Sequence, residues 1–164
     1  MSTRSYVALG SNLGDPLAMV RAALAALAEL PRTRLAGASS LYRSAPVGLK
    51  SQPDFINAVA ALDTRLEAEA LLDELFAVEA RFGRRRSFPN APRTLDLDLL
   101  LHGDETRATA RLFLPHPRMH ERAFVLLPLL ELAPEAEIPG HGPAAALLDG
   151  LRGQRIRRLE TGTP

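Results

Sequence analysis

Two carboxylates one residue apart, Asp96 and Asp98, are the feature of this sequence that most suggests chemistry, and they lie in the stretch NAPRTLDLDLLL over residues 90–101. Leucines alternate with them, which predicts a strand with an apolar face and a face that carries both acids. Residues i and i+2 of a strand lie ~6.5–7 Å apart, so two such acids can bind divalent cations together with a phosphate chain. An ordinary antiparallel strand with one solvated face is the alternative, although aspartate is depleted in strands.

Arginines surround this stretch in the sequence. Arg93 directly precedes the strand, three arginines occupy residues 84–86, and Arg118 and Arg122 follow it. A guanidinium group binds phosphate through two parallel hydrogen bonds and keeps its charge. The candidates for one polyphosphate site are Arg84, Arg86, Arg93, Arg118 and Arg122. For residues 84–86, a solvated loop is the alternative.

His116 lies between Pro115 and Pro117 in a proline-bounded loop. We interpret it as a hydrogen-bond donor to phosphate, with an ordinary loop histidine as the alternative. A zinc site shared with His120 is not favoured, because no third ligand is evident and the proline between the two histidines works against a helix.

Phe55 and Phe124 each stand where a polar loop meets an apolar run. Such residues usually pack in a core, but two of them could also enclose a flat ligand. Asn57 lies two residues after Phe55, on the same face of the predicted strand, and its amide can both donate and accept hydrogen bonds. These residues are candidates for binding a heterocycle.

Composition limits the class of protein. The chain has 164 residues, 46% hydrophobic and 24% charged, with a net charge of +1, which predicts one domain over residues 1–164 and gives no sign of a nucleic-acid or membrane partner. There are no cysteines, so disulfides, thiolate metal sites and a cysteine nucleophile are excluded. We expect a cytoplasmic protein, since the N-terminus has no signal-like apolar run.

Hydrophobic periodicity and turn residues predict the order β-α-β-β-α-β, which is the order of a ferredoxin-like α+β sandwich with an antiparallel sheet, helices packed on it and extra C-terminal segments. The first predicted elements are a strand over 5–10, a helix capped by Asp15 with Pro16 first and stopped by Pro31, and strand-like residues 33–43. A strand over 54–62 follows, then a helix with a Thr64–Glu67 capping box that Gly83 ends, and then the strand of the two aspartates. The last are a short strand over 111–114, a helix over 124–132 interrupted or begun near Pro128, and a small helix over 144–148. In the second helix we expect Glu79 beside the apolar face, nearer solvent.

The chain resembles the 6-hydroxymethyl-7,8-dihydropterin pyrophosphokinase family of folate biosynthesis over roughly residues 6–134, in the runs YVALGSNLGD, LYRSAPVG, QPDFINAV, NAPRTLDLDLLL and LPHPRMHERAFVLLPL. The resemblance implies a ferredoxin-like fold and an enzyme that moves the β,γ-diphosphate of ATP intact to the pterin hydroxymethyl group and releases AMP. It also implies ATP as co-substrate, two Mg²⁺ ions and small molecules as partners. We expect a monomer.

Matching motifs assign roles to individual residues. The implied catalytic set is Arg84, Arg93, Asp96 and Asp98, and the two aspartates would hold the magnesium ions. The implied ATP-binding set is Leu72, Glu79, Arg84, Arg86, Arg93, Leu99, Arg111, Leu112, Phe113, His116 and Arg122. The implied pterin-binding set is Ser44, Ala45, Val47, Phe55, Asn57 and Phe124.

Two other functions remain open on the residues alone. One is a non-catalytic ferredoxin-like module that binds RNA or a small effector, although the aromatic motif of RNA readers of this fold is absent. The other is a metal-dependent nucleotide hydrolase that uses the same two acids.

Overall fold

The structure is a computed structural model that describes residues 1–46, 51–83 and 95–159. The elements in these ranges are, in chain order, β1 (Thr3–Ser11), α1 (Pro16–Leu27), β2 (Thr33–Ala38), β3 (Tyr42–Ser44), β4 (Phe55–Thr64), α2 (Ala68–Arg81), β5 (Asp96–His102), β6 (Arg107–Ala108), β7 (Phe113–Leu114), a 3₁₀ helix (Met119–Glu121), α3 (Ala123–Leu132), β8 (Glu137–Ile138), β9 (Gly142–Pro143), α4 (Ala144–Asp149) and β10 (Ile156–Arg158).

The central sheet is antiparallel and has the strand order β10-β3-β4-β1-β5, with β2 also paired to β4. The predicted β-α-β-β-α-β order is therefore confirmed, with β1, β2, β4 and β5 as its four strands. The strand-like residues 33–43 form two strands instead of one, because β2 and β3 pair with successive parts of the long strand β4.

Helices cover both faces of the sheet. On one face, α1 and α2 pack on an apolar cluster that includes Leu9, Leu62 and Leu97. On the other face, α3 and α4 pack on a second cluster that includes Val59 and Leu126. Burial on both sides explains why β4 is almost continuously buried rather than alternating in exposure.

Local helix signals were partly correct. Asp15 caps α1 by accepting a hydrogen bond from the Ala18 amide, and Pro16 is the first helical residue, as predicted. The predicted Thr64–Glu67 capping box is wrong. Glu67 is itself the N-cap and accepts from the Glu69 amide, whereas the Thr64 hydroxyl accepts from the Leu66 amide in the turn after β4.

The C-terminal part contains more structure than the sequence indicated. Helix α3 runs through Pro128 rather than breaking there, and the small helix predicted over 144–148 is α4. Strands β8, β9 and β10 were not predicted, and β10 extends the central sheet by pairing with β3. Over the described ranges, the structure has no helix with the length and apolarity needed to cross a bilayer.

Candidate active site

A cavity of about 350 Å³ opens beside the first residues of α3. It is lined from β1, β3, β4 and β5 and from the loop that leads into α3. The predicted site residues that it brings together are Ser44, Ala45, Phe55, Asn57, Asp96, Asp98, His116, Arg118, Arg122 and Phe124.

A row of paired residues crosses the sheet at the floor of this cavity. Tyr42 of β3 is paired with Asn57 of β4, Asn57 with Gly10 of β1, and Gly10 with Asp96 of β5. Residues that are directly paired project from the same face of a sheet. Asn57 and Asp96 therefore stand on either side of Gly10, two strand spacings or ~10 Å apart.

The strand of the two aspartates has the predicted alternation. Leu97 and Leu99 are 2% and 3% exposed and pack under α2, while the Asp98 side chain is 29% exposed toward the cavity. No group of three or more acidic, histidine or cysteine ligands occurs among the residues that the structure describes. Two carboxylates suit a hard divalent cation that takes its other ligands from phosphate or water. The residues present therefore fit a magnesium ion shared with a polyphosphate.

His116 is placed beside this strand by backbone and side-chain contacts. Its amide donates to the carbonyl of Leu100, and its Nδ1 accepts from the Arg118 amide at 3.1 Å. Because Nδ1 is the acceptor, the ring proton lies on Nε2, which is 4.0 Å from the Asp98 carboxylate. Burial, with a smaller contribution from the positive charge of Arg122, lowers the pKa of His116 to about 4, while the negative charge of Asp96 opposes the shift. The ring is therefore a neutral donor near pH 7.

The other half of the cavity is aromatic and amide in character. Ser44, 4% exposed, donates its hydroxyl hydrogen to Oδ1 of Asn57. This hydrogen bond turns the Asn57 amino group toward Gly10, where a Cβ atom would lie 3.3 Å from Nδ2. Phe55 lines the cavity two residues before Asn57. A flat ligand with polar edges fits such a wall.

Arg122 and Phe124 complete the cavity from the start of α3. The Arg122 guanidinium carbon lies 5.5 Å from the centre of the Phe124 ring, within the range of a cation–π contact. The ring can thus face a heterocycle while the guanidinium beside it remains within reach of an anion.

The remaining predicted residues that the structure describes do not line this cavity. Leu72, Leu99 and Leu112 are buried together in the cluster under α2. Arg111 pairs with Glu69 and Asp73 of α2, and Phe113 is 50% exposed. These residues form a separate group at the outer side of β5.

The expectation that Glu79 lies nearer solvent is wrong. Its side chain is buried, with 3% of the residue exposed, and its carboxylate accepts a hydrogen bond from the Leu97 amide at 2.7 Å. Leu97 lies between the two aspartates of β5. The contact therefore ties α2 to the backbone that carries them.

Four predicted residues, Val47, Arg84, Arg86 and Arg93, lie outside the described residues. Several cavity residues were not predicted, namely Ala8, Leu9, Gly10, Gln52, Glu121 and Gln154. Two of them lie in the quoted motif runs, Gly10 in YVALGSNLGD and Gln52 at the start of QPDFINAV, so the sequence gave a usable signal for both. The structure joins these two runs through buried Asn12, which donates to Gln52 at 2.6 Å. No pattern in the sequence pointed to Gln154.

An α+β sandwich with a cavity that combines two carboxylates, cationic side chains and an aromatic-amide wall suits an enzyme that acts on a phosphorylated substrate and a heterocycle. Comparison with known proteins identifies the family. The family model of 7,8-dihydro-6-hydroxymethylpterin-pyrophosphokinase (HPPK) matches residues 6–134. The chain belongs to this family, which confirms the resemblance and the prediction of a diphosphotransferase.

Relatives named 2-amino-4-hydroxy-6-hydroxymethyldihydropteridine pyrophosphokinase cover most of the chain. The Pseudomonas aeruginosa protein is 48% identical over 159 residues, which are 97% of this chain and 98% of that protein. The Haemophilus influenzae protein is 47% identical over 135 residues, 82% of this chain and 84% of that protein. These identities favour the enzyme over the binding module and the nucleotide hydrolase.

Solved structures show the same fold. A crystal structure of Plasmodium falciparum HPPK-DHPS with pteroate aligns with a TM-score of 0.74 at 12% identity and covers 92% of this chain. The chain spans 42% of the length of that protein. The ferredoxin-like fold prediction is thereby confirmed.

Proposed function

We propose that this protein transfers the β,γ-diphosphate of ATP to the hydroxymethyl group of 6-hydroxymethyl-7,8-dihydropterin and releases AMP. Family membership supports this proposal, and the observation that carries it is the row Asn57, Gly10 and Asp96 across the cavity floor. The row sets an amide for the pterin edge on one side of a glycine and a carboxylate for the metal-bound phosphates on the other.

The pterin half of the site consists of Ser44, Ala45, Phe55, Asn57 and Phe124, with Val47 as a further candidate outside the described residues. Because Ser44 occupies Oδ1 of Asn57, the Nδ2 hydrogens of Asn57 can donate to an acceptor on the heterocycle. Phe55 and Phe124 would stack against its two faces.

The phosphate half is built around Asp96 and Asp98, which would hold two magnesium ions. Bound there, magnesium would neutralise phosphate charge and orient the phosphate chain. Nε2 of His116 would donate to a phosphate oxygen, and Arg122 would add a permanent positive charge. We assign Arg84, Arg86 and Arg93 to the same triphosphate because they match the family motifs.

The adenosine would lie at the outer side of β5, bordered by Leu72, Glu79, Leu99, Arg111, Leu112 and Phe113. The exposed ring of Phe113 offers an apolar surface there. Arg111 is held by two acids of α2, so it would shape this border more than bind phosphate. The triphosphate would then extend across the edge of the sheet toward the two aspartates.

The reaction needs positioning and charge stabilisation more than covalent catalysis. The pterin hydroxymethyl oxygen forms a bond to the β-phosphorus while the bond from that phosphorus to the α,β-bridging oxygen breaks. AMP departs with the bridging oxygen, and the hydroxyl proton is lost. Cationic side chains around the transferred group would stabilise the charge that spreads over its oxygens. We assign no general base.

The test is incubation of the purified protein with ATP and Mg²⁺, with and without 6-hydroxymethyl-7,8-dihydropterin, followed by chromatography of the nucleotides. We expect AMP only when the pterin is present, together with pterin diphosphate in equal amount. Release of nucleotide products without pterin would indicate a hydrolase, and absence of AMP under both conditions would indicate a binding module.

A monomeric state, a cytoplasmic location and one domain over residues 1–164 stay predictions.

A further inference from the structure

One side chain from the C-terminal part of the chain holds the backbone on both sides of Arg122. Gln154 donates from Nε2 to the carbonyl of Glu121 at 2.7 Å, and its Oε1 accepts from the Ala123 amide at 2.8 Å. The donor and the acceptor of a single amide are thus both used in one bridge across Arg122.

This bridge also completes the start of α3. The first amides of a helix have no partner within the helix, and a neighbouring side chain usually accepts from one of them. Arg122 is the N-cap residue of α3 and makes no capping hydrogen bond with its side chain. Gln154 accepts from the amide of the first helical residue, Ala123, from a position 31 residues further along the chain.

The held segment carries two side chains of the cavity. Arg122 precedes Ala123 and Phe124 follows it, and the guanidinium carbon of Arg122 lies 5.5 Å from the Phe124 ring centre. Fixing the carbonyl of Glu121 and the amide of Ala123 fixes the peptide groups around Arg122. The starting directions of both side chains are thereby set.

The segment that carries Gln154 is itself anchored to the opposite wall of the cavity. The carbonyl of Arg155 accepts from the Ala45 amide, and β10 then pairs with β3 so that Ile156 lies opposite Ser44. Gln154 therefore connects the wall of Ser44 and Ala45 to the wall of Arg122 and Phe124. It lies beyond residues 6–134, the part of the chain that the family model matches.

We infer that Gln154 is a positioning residue for the diphosphate transfer: it holds Arg122 and Phe124 where the triphosphate and the pterin bind. The inference rests on the proposed function for the identity of these ligands. It predicts that part of the active site is built by a segment outside the matched region.

The test compares Gln154→Met with Arg152→Ala in the full chain. Methionine keeps the length of the side chain but removes both hydrogen bonds, whereas Arg152 is an exposed side chain two residues away. Affinity for the Mg²⁺ complex of α,β-methylene-ATP is measured by calorimetry, hydrogen exchange at the Ala123 amide by NMR, and melting temperature by calorimetric scanning.

We expect Gln154→Met to weaken analogue binding about fivefold or more and to speed Ala123 exchange about tenfold, since two hydrogen bonds are lost. The melting temperature of Gln154→Met should fall by only a few degrees, because one lost hydrogen bond is exposed and the other part-buried, and Arg152→Ala should melt and bind like wild type. Equal affinity in both variants would overturn the inference. Weaker binding with unchanged Ala123 exchange would also overturn it, because Gln154 would then act by direct contact.

Failure of the proposed function would look different. A wild-type protein that makes no pterin-dependent AMP would contradict that function, yet analogue affinity and amide exchange need no turnover. These two measurements would still report whether Gln154 holds the backbone of Arg122 in place.

Discussion

Gly10 separates the Asn57 amide, proposed to bind the pterin, from the Asp96 carboxylate, proposed to bind the metal. It lies between Asn57 and Asp96 in the register of the sheet, and it presents no side chain to the cavity. A Cβ atom at this position would stand 3.3 Å from Asn57 Nδ2 and 3.8 Å from Phe55 Cδ1. The glycine thus leaves room for a ligand edge where any other residue would occupy it.

Gly10→Ala should raise the KM for the pterin about tenfold, roughly 1.4 kcal/mol, because the added methyl group displaces the Asn57 amide. Steady-state kinetics at saturating ATP measure this effect. Gly37→Ala is the matched control, since its Cβ would meet only Leu132 Cδ2 at an ordinary 3.7 Å. An unchanged KM in Gly10→Ala would remove this glycine from the pterin site.

Asp98→Ala should lower the rate of AMP formation by about a thousandfold or more, because one of the two carboxylates proposed for magnesium is lost. The fold should persist, since Asp98 is on the cavity side of β5 and not in the apolar cluster under α2. Far-UV circular dichroism and the melting temperature check this.

The control for that variant is Asp104→Ala, an exposed acid in the turn after β5. It should retain full activity. Near-normal AMP formation by Asp98→Ala at ordinary magnesium concentration would contradict the proposed metal role.

At the scale of elements, the carboxylate of Glu131 links α3 to the sheet in addition to the apolar cluster between them. Glu131 accepts hydrogen bonds from the amide and hydroxyl of Ser40 and from the hydroxyl of Tyr42. Burial opposes the charge of Glu131, but these donors lower its pKa overall. Burial and the nearby Glu131 raise the pKa of Tyr42 to about 12. The contact joins the C-terminal half of α3 to Ser40, between β2 and β3, and to Tyr42 at the start of β3.

Glu131→Ala should destabilise the protein by about 2–3 kcal/mol, because it removes several hydrogen bonds and leaves the Tyr42 hydroxyl without its acceptor. Urea denaturation measures this change. Tyr42→Phe removes only one of these bonds and should cost about 1 kcal/mol. Equal stability of Glu131→Ala and wild type would show that packing alone holds α3 on the sheet.

At the scale of the whole molecule, the sheet is an intermediate layer between two sets of helices. The predicted helices α1 and α2 cover one face, and α3 and α4 cover the other. Strand β10 extends the sheet at its edge by pairing with β3. The cavity lies on this second side, next to the start of α3. The His116 ring, whose side chain is 18% exposed, lies at this cavity, and its protonation is linked to the global stability of the fold.

The free energy of unfolding should rise with pH between about 4 and 6.5 through His116. Burial lowers the pKa of this ring to about 4 in the folded protein, against 6.5 ordinarily. The unfolded chain therefore binds more protons in this window, so acidification favours unfolding. The contribution is at most about 3 kcal/mol by pH 4.

His116→Asn tests this pH dependence, because Oδ1 of asparagine can accept from the Arg118 amide as Nδ1 does, but asparagine does not titrate. Chemical denaturation of both proteins at several pH values gives the two slopes. We expect a smaller slope in the variant from pH 6.5 down to 4, and parallel curves would contradict the expectation.

Patterns of residues close together in the sequence were enough to predict several elements of this protein and its family. The acids of β5, the Asp15 and Pro16 start of α1 and the face of α2 follow from neighbours two to four residues apart, which strand and helix geometry bring together. The five motif runs identified the family. The Thr64–Glu67 capping box was wrong because each side chain accepts from the amide two residues after its own, Thr64 from Leu66 and Glu67 from Glu69.

Only the tertiary structure decided how distant segments meet. Strand register placed Gly10 between Asn57 and Asp96, packing of α2 against β5 buried Glu79, and pairing of β10 with β3 brought Gln154 to Arg122. Each of these contacts joins residues far apart in the chain, and no local periodicity carries that information. Such contacts form because the whole sheet buries its apolar faces at once, which is a property of the assembled fold.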